Sequence, residues 1–230
     1  MPNQLTELDE NLWTAESSHK FLGVDFGGRM TVIRLRSGKL FLHSPVRLND
    51  SLSRELDAVG EVAYFTAPNK FHHLYIGGYV NAYPRAKFYA APGLPEKRKD
   101  IRFDDVLSDT REPDWKDEIK QHLFRGMPAV NEVVFLHVES GTVIFSDLIF
   151  NFSNDLSAGQ SIFAGLIGAY KKPAVSRMSK YIFIRDKEKA RESAEAILSW
   201  EFERVLLAHK DAVHAGGHDS VRKAFDFLLD

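Results

Sequence analysis

The stretch APNKFHHLYIGGYVNAYPRAKFYAAPG, residues Ala67–Gly93, decides how the chain is read. It begins inside EVAYFTAP (Glu61–Pro68), an apolar run of buried-strand type that Pro68 turns out of its sheet. A polar loop with His72 and His73 follows, and a Gly77-Gly78 pair then opens a short helix, Leu74 to Tyr83, that Pro84 closes. AKFYAAPG (Ala86–Gly93) reads as the next strand. Strand, loop, helix and strand in that order form a crossover within a parallel or mixed sheet.

Toward the N-terminus, MTVIRLRSG (Met30–Gly38) alternates apolar and polar residues and returns through KLFLHSPV (Lys39–Val46) as a hairpin. Asn49-Asp50-Ser51 caps a helix from Leu52 to Val59 that Gly60 ends. Toward the C-terminus, PEKRKDIRFDDVLSDTREPDWKDEI is charged and reads as a surface wrap. Asn131–Phe150 is a second hairpin turning at Glu139-Ser140-Gly141. Ser161–Lys172 is a mostly apolar helix, too short to span a membrane; Lys171-Lys172 at its end would suit interfacial binding, but it is read as a core helix or an oligomer contact. The amphipathic Asp186–Trp200 reads as a surface helix, Glu203–His209 as a buried strand and His218–Leu229 as the last helix. Two hairpin-rich halves, each followed by helices, suggest two sheets face to face with helices outside. Composition alone also permits a three-layer α/β fold.

At 230 residues the chain fits one large domain, 1–230, able to bury roughly 70% of its unfolded surface. Without cysteine, it has no disulfides, Cys–zinc sites, iron–sulfur clusters or thiol nucleophile. A net charge of −2 gives nucleic-acid binding no support. The polar, acidic start MPNQLTELDENLW resembles no secretory or transit leader, so a soluble cytoplasmic protein with no membrane partner is expected. Serine-nucleophile elbows, phosphate-cradling Gly-rich loops, dinucleotide fingerprints and His-Glu-x-x-His helices are all missing.

The junction at Ala67–Gly93 resembles the metallo-β-lactamase superfamily, whose motif there is Thr-His-x-His-x-Asp-His-x-Gly-Gly. Aligned on Gly77-Gly78, Asn69 takes the threonine's place, Lys70 the first histidine's, Leu74 the aspartate's and Tyr75 the third histidine's, while His72 is kept. The family's Gly-His-Thr turn reads Gly126-Met127-Pro128, so Met127 stands at a ligand's place. Asp147 matches the metal-bridging aspartate, and His209 matches the histidine ending a late strand. His43-Ser44-Pro45 replaces the early Asp-x-Gly. Closer still, the Pro-Asn-x-x-His-His loop and the Asp147-Leu148-Ile149 segment resemble an uncharacterised branch of bacteria and plants, a domain of unknown function with a lactamase-like fold. The resemblance runs from about Met30 to Val213 and implies a four-layer αββα sandwich of α+β type with a degenerate metal site.

Three surviving donors, His72, Asp147 and His209, could hold at most one ion. Two functional readings stay open. In the leading one the protein binds a small molecule with little or no dinuclear hydrolysis and no metal, Lys70 neutralising Asp147. In its rival a single zinc or iron ion on His72, Asp147 and His209 serves hydrolysis, with Lys70 or His73 as proton shuttle or oxyanion partner. Each of these residues also has a plain structural reading, as a loop-holding histidine, a turn-capping aspartate or a sheet-edge histidine. Among the other histidines, His43 is positioned to hydrogen-bond the histidine loop, His137 reads as structural, and the Gly-Gly break between His214 and His218 argues against a helical ligand pair. A homo-oligomer is compatible with all of this.

Overall fold

The computed structural model describes residues 4–21, 24–110, 114–115, 117–154 and 156–229. Met1–Asn3, at the head of the polar start, and Arg111–Pro113 and Lys116, in the charged wrap, lie outside them. Seven strands form the first sheet: β1 (Leu5–Asp9), β2 (Leu12–Ser17), β5 (Gly28–Arg34), β6 (Lys39–His43), β7 (Glu61–Ala67), β8 (Lys87–Ala90) and β9 (Asp105–Val106). A small ribbon, β3 (Lys20–Phe21) with β4 (Val24–Asp25), interrupts it between β2 and β5. The early strands are antiparallel, whereas β6, β7, β8 and β9 run parallel, as the crossover reading requires. The second sheet orders β10 (Ile119–Leu123), β11 (Val133–His137), β12 (Thr142–Phe145) and β15 (Arg204–Leu207), with β12 and β15 parallel. A two-stranded pair, β13 (Ile149–Phe150) and β14 (Ala174–Val175), stands beside it.

Burial sorts these elements into four layers. Ile33, Phe41 and Tyr64 of the first sheet meet Phe135, Ile144 and Leu206 of the second in one apolar cluster. The opposite face of the first sheet, with Met30, Val32 and Phe65, is covered by α1 (Asp50–Val59), α2 (Ile76–Ala82) and α3 (Leu94–Lys97). Beyond the second sheet, α5 (Lys187–Leu198) and α6 (Gly217–Leu229) bury Ala190, Ala194, Ile197, Val221 and Phe225. Local chemistry sets the helix ends. Asn49 accepts the Leu52 amide at 2.8 Å to start α1, and Asp186 accepts that of Lys189 at 3.1 Å to start α5.

The structure extends some of these readings and corrects others. The polar start contributes the β1–β2 hairpin, an edge whose outer strand stays half-exposed and so lacks an apolar alternation. The charged wrap is anchored in the core: Trp115 is buried between the sheets and donates to Gln121, which lies on β10. The apolar helix α4 spans Ala158–Ile167, because a Ser157–Gln160 capping box starts it early and Gly168, at φ 82°, ends it. Only one face of it joins an apolar core, where Ala164 meets Phe26 and Phe152, while Ile162 and Leu166 are 67% and 66% exposed. Among the described residues no helix is long and apolar enough to cross a membrane.

Candidate metal centre

Three chain segments leave the carboxyl ends of parallel strands at one edge of the sandwich: the loop after β7, the turn after β12 and the end of β15. Ligands gather at such edges because the connecting loops diverge there. His72, Asp147 and His209 meet at this edge, their donor atoms within 4.8 Å of one another. His72 Nε2 lies 3.2 Å from Asp147 Oδ2, and His209 Nε2 lies 3.3 Å from Asp147 Oδ1. Their side chains are 12%, 18% and 12% exposed, so the group is largely desolvated yet reachable.

Each imidazole is anchored through its other nitrogen. His209 Nδ1 lies 2.8 Å from the Gly27 carbonyl, and His72 Nδ1 lies 2.5 Å from Ser44 Oγ. A carbonyl only accepts, so His209 carries a proton on Nδ1 and turns Nε2 toward Asp147. Burial disfavours a charged His209, but the Asp147 carboxylate and the Gly27 carbonyl outweigh it, and its pKa rises. Asp147 loses hydration too, yet the two histidines hold its carboxyl well below the usual range. Ser44, at φ 54°, and Lys210, at φ 59°, flank the site in a conformation that non-glycine residues seldom adopt.

Asn69 and Glu132 build the support around these ligands. Buried Asn69 accepts from the amides of Phe71 (2.8 Å) and His72 (2.9 Å) and donates to Asp147 Oδ2 (2.8 Å). Glu132, also buried, accepts the amides of Ser146, Asp147 and Leu148 at 2.7–3.0 Å and so fixes the turn that carries the aspartate. Burial, with Asp147 nearby, pushes the Glu132 carboxyl up to about 7, against the pull of those amides.

The other expected residues do not join this group of donors, although His73, Leu74 and Tyr75 line the same cavity. Lys70 makes no ion pair with Asp147; its ammonium donates to the Pro128 carbonyl at 2.8 Å, because Asn69, one residue earlier, takes the contact with the aspartate. His73 lies 2.6 Å, through Nδ1, from an Arg98 guanidinium nitrogen. Burial, Lys97 and Arg98 lower its pKa to about 4, so it stays neutral and poorly suited to shuttle protons near neutrality. Met127 is buried in the outer core, and Leu74 stands mostly exposed. Tyr75 Oη lies 3.3 Å from Nδ1 of His19, which no motif marks in the sequence. His43 does not reach the histidine loop: among the described residues neither ring nitrogen has a partner, and Ser44 makes the contact instead. His137 bonds Ser140 and His218 the Leu198 carbonyl, both away from the centre.

A model of the family described as Domain of unknown function (DUF4336) matches residues 9–162, well over half of the chain. The chain belongs to the DUF4336 family. None of the curated proteins compared with it matches. Solved structures align with this DUF4336 chain almost end to end. The metallo-β-lactamase from Pontibacter korlensis is 10% identical with a TM-score of 0.67, covering 99% of each chain. That from Hirschia baltica is also 10% identical, with a TM-score of 0.67 over 99% of this chain and 98% of its own. FIM-1 from Pseudomonas aeruginosa, in its mono-zinc form, is 10% identical with a TM-score of 0.67 over 100% and 98%. Likeness at that identity shows the fold alone: this DUF4336 chain has the metallo-β-lactamase fold.

The donor chemistry fits one divalent ion. Two imidazoles and a carboxylate make a set that suits zinc or ferrous iron and leaves coordination positions for water or substrate. Among the described residues a second ion finds no comparable set, because Lys70, Leu74, Tyr75 and Met127 offer no imidazole or carboxylate. A cavity of about 740 Å³ adjoins the centre, with Phe26, Phe71, Phe150, Phe163, Ile167 and Phe183 among its walls. A volume of this order holds a drug-sized molecule.

Proposed function

We propose that this protein is a mononuclear metal-dependent hydrolase acting on a small molecule with an apolar body. The observation that supports it most is the paired aim of His72 and His209. Each presents Nε2 to Asp147 while its Nδ1 is held by a separate partner. Ligand histidines are commonly oriented in this way. Bound on these three residues, the ion would supply Lewis-acid polarisation and a water of lowered pKa. The chain supplies orientation. Gly27 fixes the His209 tautomer, Ser44 braces His72, and Asn69 with Glu132 holds the Asp147 carboxylate in place. The aromatic cavity walls would take the apolar body of the substrate and exclude bulk water.

The second reading, a binding protein without turnover, draws on the positions of Lys70 and His73. The Lys70 ammonium is taken up by the Pro128 carbonyl, and His73 Nδ1 lies against Arg98. On both readings the partner is a small molecule rather than a nucleic acid, and the location is the cytoplasm.

Metal analysis of protein purified without added metal or chelator tests the proposal. The expected result is close to one equivalent of zinc or iron, lost in both His72→Ala and Asp147→Ala. Two equivalents, or none, would overturn it. Hydrolysis of aryl and acyl esters by the metal-loaded protein, absent in the same variants, separates the enzyme from the binding protein.

A further inference from the structure

The cavity mouth shares its rim with an exposed face of unusual composition. Ile162 and Leu166 point outward from α4, while Phe163 and Ile167 of the same helix line the cavity. Next to it, residues 178–183 expose Tyr181 (79%) together with Met178 and Ile182, while Met178 and Phe183 also line the cavity. Arg177 joins the two segments by donating to the Leu166 carbonyl at 3.3 Å. Phe71 extends the rim, its ring 6.4 Å from that of Phe183. Large apolar side chains grouped at a surface mark a contact site more often than chance exposure does.

Charge says what the face meets. Residues 156–185 contain no Asp or Glu but five cations: Lys171, Lys172, Arg177, Lys180 and Arg185. This run sits within a chain of net charge −2. Acids border the run without entering it: Asp155 and Asp186 flank it in sequence, Asp186 pairing with Lys189 at 3.1 Å, while Asp226 lies beside Lys180 and the Asp25 carbonyl accepts from Gln160 of α4 at 2.7 Å. Exposed apolar side chains edged by lysine and arginine match the two attractions of an anionic membrane, apolar insertion and headgroup charge. From sequence this segment reads as a core helix or an oligomer contact in preference to interfacial binding at Lys171-Lys172, but the outward Ile162 and Leu166 leave an apolar face open, and an interfacial contact needs no span.

We propose that the face formed by α4 and residues 170–183 docks on anionic phospholipid surfaces and turns the cavity mouth toward the lipid. The docking itself needs neither a metal nor turnover, so it stands apart from the hydrolase reading.

Sedimentation of the full chain with phosphatidylcholine vesicles, with and without phosphatidylserine, tests it. The expected result is pelleting that depends on phosphatidylserine and weakens in high salt. Lys171→Ala with Lys172→Ala should lower the affinity roughly five-fold per charge removed. Tyr181→Ser with Ile182→Ser, both exposed and so compatible with folding as checked by circular dichroism, should lower it roughly ten-fold or more. Asp147→Asn should pellet like the unaltered protein. Absence of pelleting, or pelleting indifferent to phosphatidylserine and to these substitutions, overturns the proposal. A dimer in light scattering that Tyr181→Ser with Ile182→Ser dissociates also overturns it, by giving the face to a second copy. Metal content of the same samples reports on the hydrolase reading independently.

Discussion

Asn69 shows how one uncharged side chain can position a charged centre. Its carboxamide oxygen closes a turn on the amides of Phe71 and His72, which sets the direction of the His72 ring. Its amide nitrogen reaches Asp147 and, at 3.2 Å, Glu132. Asn69→Ala leaves these buried groups short of partners and is expected to cost about 1–3 kcal/mol in urea unfolding, with metal content falling in parallel. Unchanged metal content would show that the clamp is dispensable. His43 governs a different property. Desolvation, with His72 nearby, lowers its pKa from 6.5 to about 3, so the unfolded chain binds the extra proton first as pH falls. Stability tied to this residue is therefore present above pH 6.5 and drains away as pH falls toward 3. Moving from pH 7 to about pH 5 should cost roughly 2 kcal/mol. His43→Leu should flatten that slope in urea titrations at the two pH values. An equally steep slope in the variant would assign the acid sensitivity to other groups.

Among the elements, Gly126 ties the second sheet to its covering helix. It lies between β10 and β11 at φ 79°, and its carbonyl accepts the Arg185 amide at 2.8 Å, just before α5. A Cβ there would collide with the Asp186 carbonyl oxygen, which is backbone and cannot swing aside. Gly126→Ala is expected to destabilise by about 2 kcal/mol or more, read as a lower urea midpoint at constant m-value. The hairpins β5–β6 and β11–β12 were legible because strands such as Met30–Arg34 alternate in register with two apolar layers. β1 and β10 were not, since edge strands need bury only one face, and β10 buries the polar Gln121. The centre divides similarly. His72, Asp147 and His209 could be placed by register at strand ends. Ser44, Asn69, Glu132 and His19 could not, because their parts follow from a positive φ, a local turn and contacts up to 78 residues apart. Lys70 misled for the same reason: register gives a Cα position and not the direction of a long side chain.

The candidate centre is also where the two sheets are tied together. His72 follows β7 of the first sheet, and Asp147 and His209 follow β12 and β15 of the second. The loop of His72 is bound to the second sheet on its own account, through Lys70 N to Val130 O at 3.0 Å and Val133 N to Pro68 O at 2.8 Å. An ion held by all three ligands would bridge the sandwich, and its binding free energy would add to the stability of the folded chain. At a free concentration one hundred times its dissociation constant, the gain is about 2.7 kcal/mol. For a chain of this size that raises the melting temperature by roughly 5–10 °C. Chelation should therefore lower the melting temperature of metal-loaded protein by that much, and zinc should restore it. Asp147→Asn removes the carboxylate charge between two imidazoles while keeping the shape of the side chain. The variant should melt at one temperature whether or not chelator is present. Equal melting of the unaltered protein with and without chelator, at full metal occupancy, would show that the ion does not join the sheets. A chelator response that survived in Asp147→Asn would place the ion elsewhere in the molecule.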